Sequence, residues 1–338
     1  MIELIDRLVR IPGVSGFEGP VRKEISELVK EYGKLSVDGI GNLILDMGGS
    51  GQHIAFVAHM DEVGCVVSRI EENGAVKIRK ISADDRSIAG RVYDIWTKKG
   101  PVHGVVGIKP PHLVSDPEEM KKVVPAEKLA IDVGARSRRE AVAMGIDIFD
   151  PVLIKKELFV VNKKYISARA LDNRVGCAIL IESLKEIKEI NPRCRLSFVW
   201  SVQEEIGLRG ATVVANTLKP DIAFAIDTFS TTDCPDAPSH LTPVYLGKGP
   251  VLRMIDNRAI ASAELRDAVV TIAARKKIPI QLGVTGGTTD GASLQECGCR
   301  MLPLGIPLRY THSPTELAHI DDIKSLARLI PAIIKDIM

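Results

Sequence analysis

Apolar positions recur along this chain with two periods, and the change from one to the other divides it. Ile2, Leu4, Ile5, Leu8 and Val9 form a stripe at helical spacing that stops at Pro12-Gly13. Ser15-Gly-Phe-Glu18 has the spacing of a capping box and predicts a helix with Val21, Ile25, Leu28 and Val29 on one face. Leu35–Val37, Leu43–Asp46 and Ile54–Ala58 read as strands, with turns at Asp38-Gly39 and Gly48–Gly51. From about Val63 to Tyr165 the texture changes to short alternating strands, such as Val76–Ile81 and Val92–Thr97, set between Gly, Pro and Asn turns. Only Ser137–Met144 looks helical there.

Long α/β alternation then resumes. A helix is expected over about Val175–Ile190, then strand Leu196–Val202, helix Gly210–Leu218 and strand Ile222–Ile226. After a loop from Phe229 to Val251 come a helix at Ser262–Lys276, strand Ile278–Leu282 and a terminal helix from Asp321, which Pro331 should kink. The pattern predicts an α/β domain of residues 1–62 plus 166–338, split by a β-rich, barrel-like insertion of residues 63–165.

A length of 338 residues suits one large domain with an insertion. The composition, 45% hydrophobic and 26% charged, is that of an ordinary globular protein. A net charge of +2, with bases scattered among acids, gives no argument for a nucleic-acid or membrane partner. No uncharged apolar stretch approaches the ~18 residues of a membrane span. The first residues carry acids, unlike a signal peptide, and the six cysteines lack CxxC spacing, so reduced thiols in a cytoplasmic protein are expected. Cys297 and Cys299, a lone CxC, are weak candidates for metal.

Chemistry gathers where apolar runs end. Ile54–Ala58 delivers His59 and then Asp61; Leu196–Val202 leads to Glu204 and Glu205; Ile222–Ile226 leads to Asp227. Asp172 in ALDNR and His312 in THSPTE complete a set of seven. A lone Asp after a strand is commonly a turn or cap, and a Glu pair is usually a solvated surface. Jointly the seven point elsewhere, because ligand sites of open α/β sheets lie beyond the carboxyl ends of the strands. Two imidazoles and several carboxylates suit divalent ions such as Zn²⁺ or Co²⁺. Paired ions need a bridging carboxylate, for which Asp172 is the best candidate. Asp61 is placed to support the second nitrogen of His59, and one of Glu204 and Glu205 can bind metal while the other faces water. The other imidazoles, His53, His103, His112, His240 and His319, read as structural or surface groups.

HMDE, ALDNR, QEEIGLRGA, AIDT and THSPTE, in this order and at these separations, resemble the tetrahedral (TET-type) metallo-aminopeptidases over essentially the whole chain. Val105–His112, Ile131–Ser137, Leu246–Pro250 and Gly286–Asp290 add to the likeness. The resemblance implies a three-layer α/β/α peptidase domain with an inserted β-rich dimerisation domain. It also implies two divalent ions, one held by His59, Asp172 and Asp227 and the other by Asp172, Glu205 and His312. Glu204 would be the general base and Asp61 the orienter of His59. Short peptides would be the substrates, and dimers would build a dodecamer. Alternatives are an N-acyl amino acid deacylase with a similar ligand set and a non-catalytic metal-binding scaffold. An endoglucanase is disfavoured, because adjacent glutamates do not span a sugar bond and the histidines would be left without work. The pocket for the substrate's first residue is expected from Phe229–Tyr245 and Gly283–Leu308.

Overall fold

The computed structural model describes residues 1–188, 190, 194–235 and 243–336. Its strands form one twelve-stranded and one six-stranded sheet. In the larger sheet Arg195–Ser201, His53–His59, Ile222–Ser230 and Leu304–Arg309 run parallel, in that spatial order. Antiparallel strands flank them: Leu43–Gly48 beside Arg195–Ser201, and Glu316–His319 beside Leu304–Arg309. The apolar runs are continuous because both faces of these strands are covered. Ile54, Phe56 and Ala58 point into one core with helices Ile2–Val9, Leu171–Ile187 and Ile320–Asp336. Ala55 and Val57 point into another with helices Arg209–Thr217 and Asp290–Glu296. Phe56 stacks between Phe198 and Phe224, with ring centroids 5.3 and 5.1 Å away.

The six-stranded sheet is built wholly from residues between His59 and the return of the chain at Tyr165–Ala168. Its order is Gly100–Val106, Arg91–Thr97, Pro151–Ile154, Gly64–Ile70, Val76–Ile81 and Ala130–Ile131. A bridge between Val105 and Asp132 brings first and last strands together, so the sheet nearly closes as a barrel around Val67, Ile78, Ile95 and Val152.

Several local expectations shift. Ser15 caps no helix: its hydroxyl bonds Asp61 instead, and Glu18, the residue before helix Gly19–Val29, accepts from Gly16 and Gln203 amides. The helix expected from Val175 begins at Leu171, with non-helical dihedrals at Asp172 and Asn173. The strand expected at Ile278–Leu282 is Gln281–Val284. Ile320–Asp336 continues as one helix through Pro331. Among the described residues no helix is long and apolar enough to cross a membrane, and all six cysteines are free.

Candidate metal centre

His59 is the last residue of its strand, paired in register with Ser201, and Asp227 lies one strand over. The parallel register therefore delivers the His59, Glu204 and Asp227 segments to one end of the sheet. Asp172 arrives from the start of helix Leu171–Ile187 through a cis peptide bond to Asn173. Asn173 fixes that turn: its amide donates to the Ile226 carbonyl at 2.7 Å, and its oxygen accepts from Gly176 N. His312 comes from the loop before Glu316–His319.

The Asp172 carboxylate faces both imidazoles. Its Oδ1 lies 3.4 Å from His59 Nε2 and its Oδ2 3.4 Å from His312 Nε2. Asp227 Oδ1 stands 3.6 Å from His59 Nε2, and Glu205 Oε2 3.2 Å from His312 Nε2. Donor atoms of His59, Asp172 and Glu205 lie within 4.8 Å of one another, as do those of His59, Glu204 and Asp227. All seven expected residues thus converge, and Glu204 approaches the His59 side as closely as a ligand would. Asp172 Oδ1 and Glu205 Oε1 are buried with no hydrogen-bond partner. Buried carboxylate oxygens left bare beside imidazole nitrogens fit a divalent cation, which is the donor chemistry expected for Zn²⁺ or its neighbours.

Electrostatics follow from packing several buried acids against two imidazoles. Burial pushes the Glu204 carboxyl well above its usual range, and Asp227, Glu205 and Asp290 add to this against the pull of His59. Burial likewise raises Glu205 and Asp227. For His59 burial works downward, but Glu204, Asp172, Asp227 and Asp61 hold the imidazole well above its ordinary value. His312 is pushed up to about 11, burial being outweighed by Asp172 and Glu205. Asp172 is held low: burial opposes this, and both histidines overcome it.

Asp61 sits behind the cluster, wholly buried. Its Oδ1 lies 3.4 Å from His59 Nδ1 and accepts from Glu204 N at 3.0 Å, while Oδ2 accepts from Glu205 N at 3.2 Å and from Ser15 Oγ at 2.6 Å. It therefore braces the glutamate pair as well as the histidine, a second duty that its spacing from His59 does not reveal.

Two further buried acids were not singled out by the sequence. Glu316 accepts from the backbone of Asp172 and of His312. Asp290 takes the Ser201 hydroxyl, and burial pushes its carboxyl up to about 7. Both fall inside motifs (THSPTE and GGTTD), and an acid at the very start of an apolar strand or helix was the available signal. Of the five other histidines, His53 is buried against Ser197, His103 pairs with Asp94 on the surface, His112 is exposed and His319 packs edge-on to Tyr165. His240 lies outside the described residues.

A cavity of about 300 Å³ opens onto the cluster. It is lined by Thr285–Thr288, inside the second stretch expected to form the pocket, and by Arg253 and Arg258, which neither expected stretch contains. Arg253 is buried, bonds the Thr228 and Thr288 carbonyls, and covers the Phe229 ring at 5.5 Å.

Imidazoles and carboxylates gathered at the strand ends of a mixed α/β fold around such a cavity suit metal-assisted hydrolysis. Comparison with known proteins narrows this. The M42 glutamyl aminopeptidase model matches residues 41–329, and the chain belongs to that family, hydrolases that act on peptide bonds as aminopeptidases. A putative aminopeptidase of Acetivibrio thermocellus is 37% identical over 98% of this chain and 97% of its own. The lysyl aminopeptidase of Pyrococcus furiosus is 30% identical over 99% and 97%. The TET1 peptidase of Pyrococcus horikoshii, described as assembling into a tetrahedron or a large octahedral shell, superposes with a TM-score of 0.92 at 40% identity, covering 98% of both chains.

Proposed function

We propose that this aminopeptidase removes N-terminal residues from short peptides with a water activated at a two-metal centre. The observation that carries the reading is the Asp172 carboxylate, whose two oxygens face two different imidazoles at 3.4 Å each. His59, Asp172 and Asp227 would hold one ion, and Asp172, Glu205 and His312 the other. Ions bound there would polarise the scissile carbonyl and make the attacking water more acidic. Glu204 would take that water's proton and pass it to the leaving amine; its raised carboxyl suits an acid–base group. Asp61 would hold the His59 ring and the Glu204–Glu205 backbone in place. The same ligand set accepts zinc or cobalt.

The architecture we propose is a three-layer α/β/α catalytic domain, residues 1–62 plus 166–338, with residues 63–165 as a dimerisation domain. In this reading the protein is cytoplasmic and its dimers build a dodecamer, the state in which the TET1 peptidase was solved.

Unblocked and N-acylated peptides offered to the chelated and metal-restored protein test the reading. Turnover should vanish on chelation, return with Zn²⁺ or Co²⁺, and favour free amino termini. Faster hydrolysis of N-acyl amino acids would favour the deacylase instead, and binding of ions without turnover the scaffold.

A further inference from the structure

Glu316 opens the short strand Glu316–His319 and is 1% exposed. Among the described residues it forms no ion pair within contact distance: the nearby Lys156 feels its charge but donates hydrogen bonds to Ser167 Oγ and to the Pro314 carbonyl. A buried carboxylate without a partner cation is unfavourable unless its oxygens are well occupied. Here each oxygen takes one backbone amide. Oε2 accepts from Asp172 N at 3.2 Å, and Oε1 accepts from His312 N at 3.0 Å. These two residues lie far apart in sequence, yet their side chains meet at 3.4 Å. His312 also holds a left-handed backbone, φ 62°, which a residue with a Cβ adopts only where its surroundings impose it.

We propose that Glu316 is a positioning residue of the metal centre: one carboxylate clamps the backbones of Asp172 and His312 and so sets the gap between their side chains. The proposal rests on the two-metal reading above. It concerns the ion shared by Asp172, Glu205 and His312, because the clamp acts on two of its three ligands. The other ion keeps His59 and Asp227, which the clamp does not touch. The choice of a carboxylate follows from its acceptors. A glutamine in the same place offers one acceptor oxygen and turns an NH₂ toward the second amide. An alanine offers none.

The test is titration of the metal-free full-length chain with Zn²⁺ by calorimetry, alongside elemental analysis and steady-state kinetics, for wild type, Glu316→Gln and Glu316→Ala. Affinity for the ion of Asp172, Glu205 and His312 should fall about 10–100-fold, the usual effect of losing a group that orients a ligand, and affinity for the ion of His59, Asp172 and Asp227 by less, since only one of its ligands is clamped. The rate should drop at limiting Zn²⁺ and recover when Zn²⁺ is raised, with KM unchanged. Folded variants that bind both ions at wild-type affinity, and differ only in the melting temperature of the metal-free chain, would overturn the proposal. If neither variant folds, Glu316→Asp decides the question: it keeps the charge but is too short to reach both amides, so it must show the same selective loss. A wild-type chain that never binds two ions sinks the two-metal reading itself, which is a separable result.

Discussion

At the scale of single residues, neighbouring acids of one type are given different work by their surroundings. Glu204 and Glu205 share a brace, Asp61, but only Glu205 reaches His312. Glu204→Gln keeps the shape and removes the proton acceptor, so kcat should fall by about 10²–10⁴ with two ions still bound. Glu205→Gln should lose one ion along with the rate. Metal analysis beside kinetics separates the two, and the opposite pattern would exchange the roles. The pH response has a definite sign. His312 titrates near 6.5 when unfolded and is raised to about 11 when folded without metal. Its stabilising contribution is whole below about 6.5 and is lost as pH rises through about 11. Ions need the deprotonated imidazole, so they bind better as pH rises. Thermal unfolding of chelated and loaded protein should therefore diverge with increasing pH; parallel curves would refute this. His59, Asp61, Glu204, Glu205 and Asp227 stood out because they follow apolar runs, and Asp172 and His312 through the motifs ALDNR and THSPTE. Glu316 and Asp290 did not, because an acid that serves backbone amides, as Glu316 does, or a distant hydroxyl, as Asp290 does, follows no spacing rule in the sequence.

Elements explain why the site is rigid. The four central parallel strands hold their ends in register, and Phe198, Phe56 and Phe224 stack across three of them. Phe56→Ala should lower unfolding free energy by about 3–5 kcal/mol, measurable by denaturant titration of the metal-free chain. A smaller test concerns the start of helix Leu171–Ile187. A Cβ on Gly176 would stand 2.2 Å from Asn173 Oδ1, the side chain that pins the Asp172 turn. Gly176→Ala should therefore weaken ion binding more than it lowers the melting temperature, although alanine is the better helix former. Three of the four parallel strands and most helices followed from apolar runs and periodicity, while strand Leu304–Arg309 and helix Asp290–Glu296 were not read from the sequence. Some ends escaped as well. Helix Leu171–Ile187 starts before its regular apolar stripe because tertiary bonds from Asn173 set its first turn, and Ser15 was drawn from its expected cap by Asp61.

For the molecule as a whole, the two sheets are coupled at the site. Ser82, at the end of strand Val76–Ile81 of the barrel-like sheet, donates its hydroxyl to the Glu205 carbonyl at 2.5 Å. The insertion was visible as a change of texture, but this contact was not, since nothing in the local pattern of Ser82 points across the molecule. The barrel-like unit also carries exposed apolar side chains, among them Ile108, Leu113, Met120, Val123 and Val124. Light scattering on the purified chain should give a mass near twelve chains, and Met120→Asp with Val123→Asp should shift it toward smaller species. A wild-type monomer at working concentration would count against the assembly.

The expected ligands are strewn along the chain, from His59 to His312, with a separate barrel wound between the first and the next. No partial chain can assemble the set. While the polypeptide is still being made, every expected carboxylate ligand precedes His312 in the chain, and the last imidazole is the donor still missing. In the two-metal reading, activity would therefore wait until the last stretch of the chain has folded against the first.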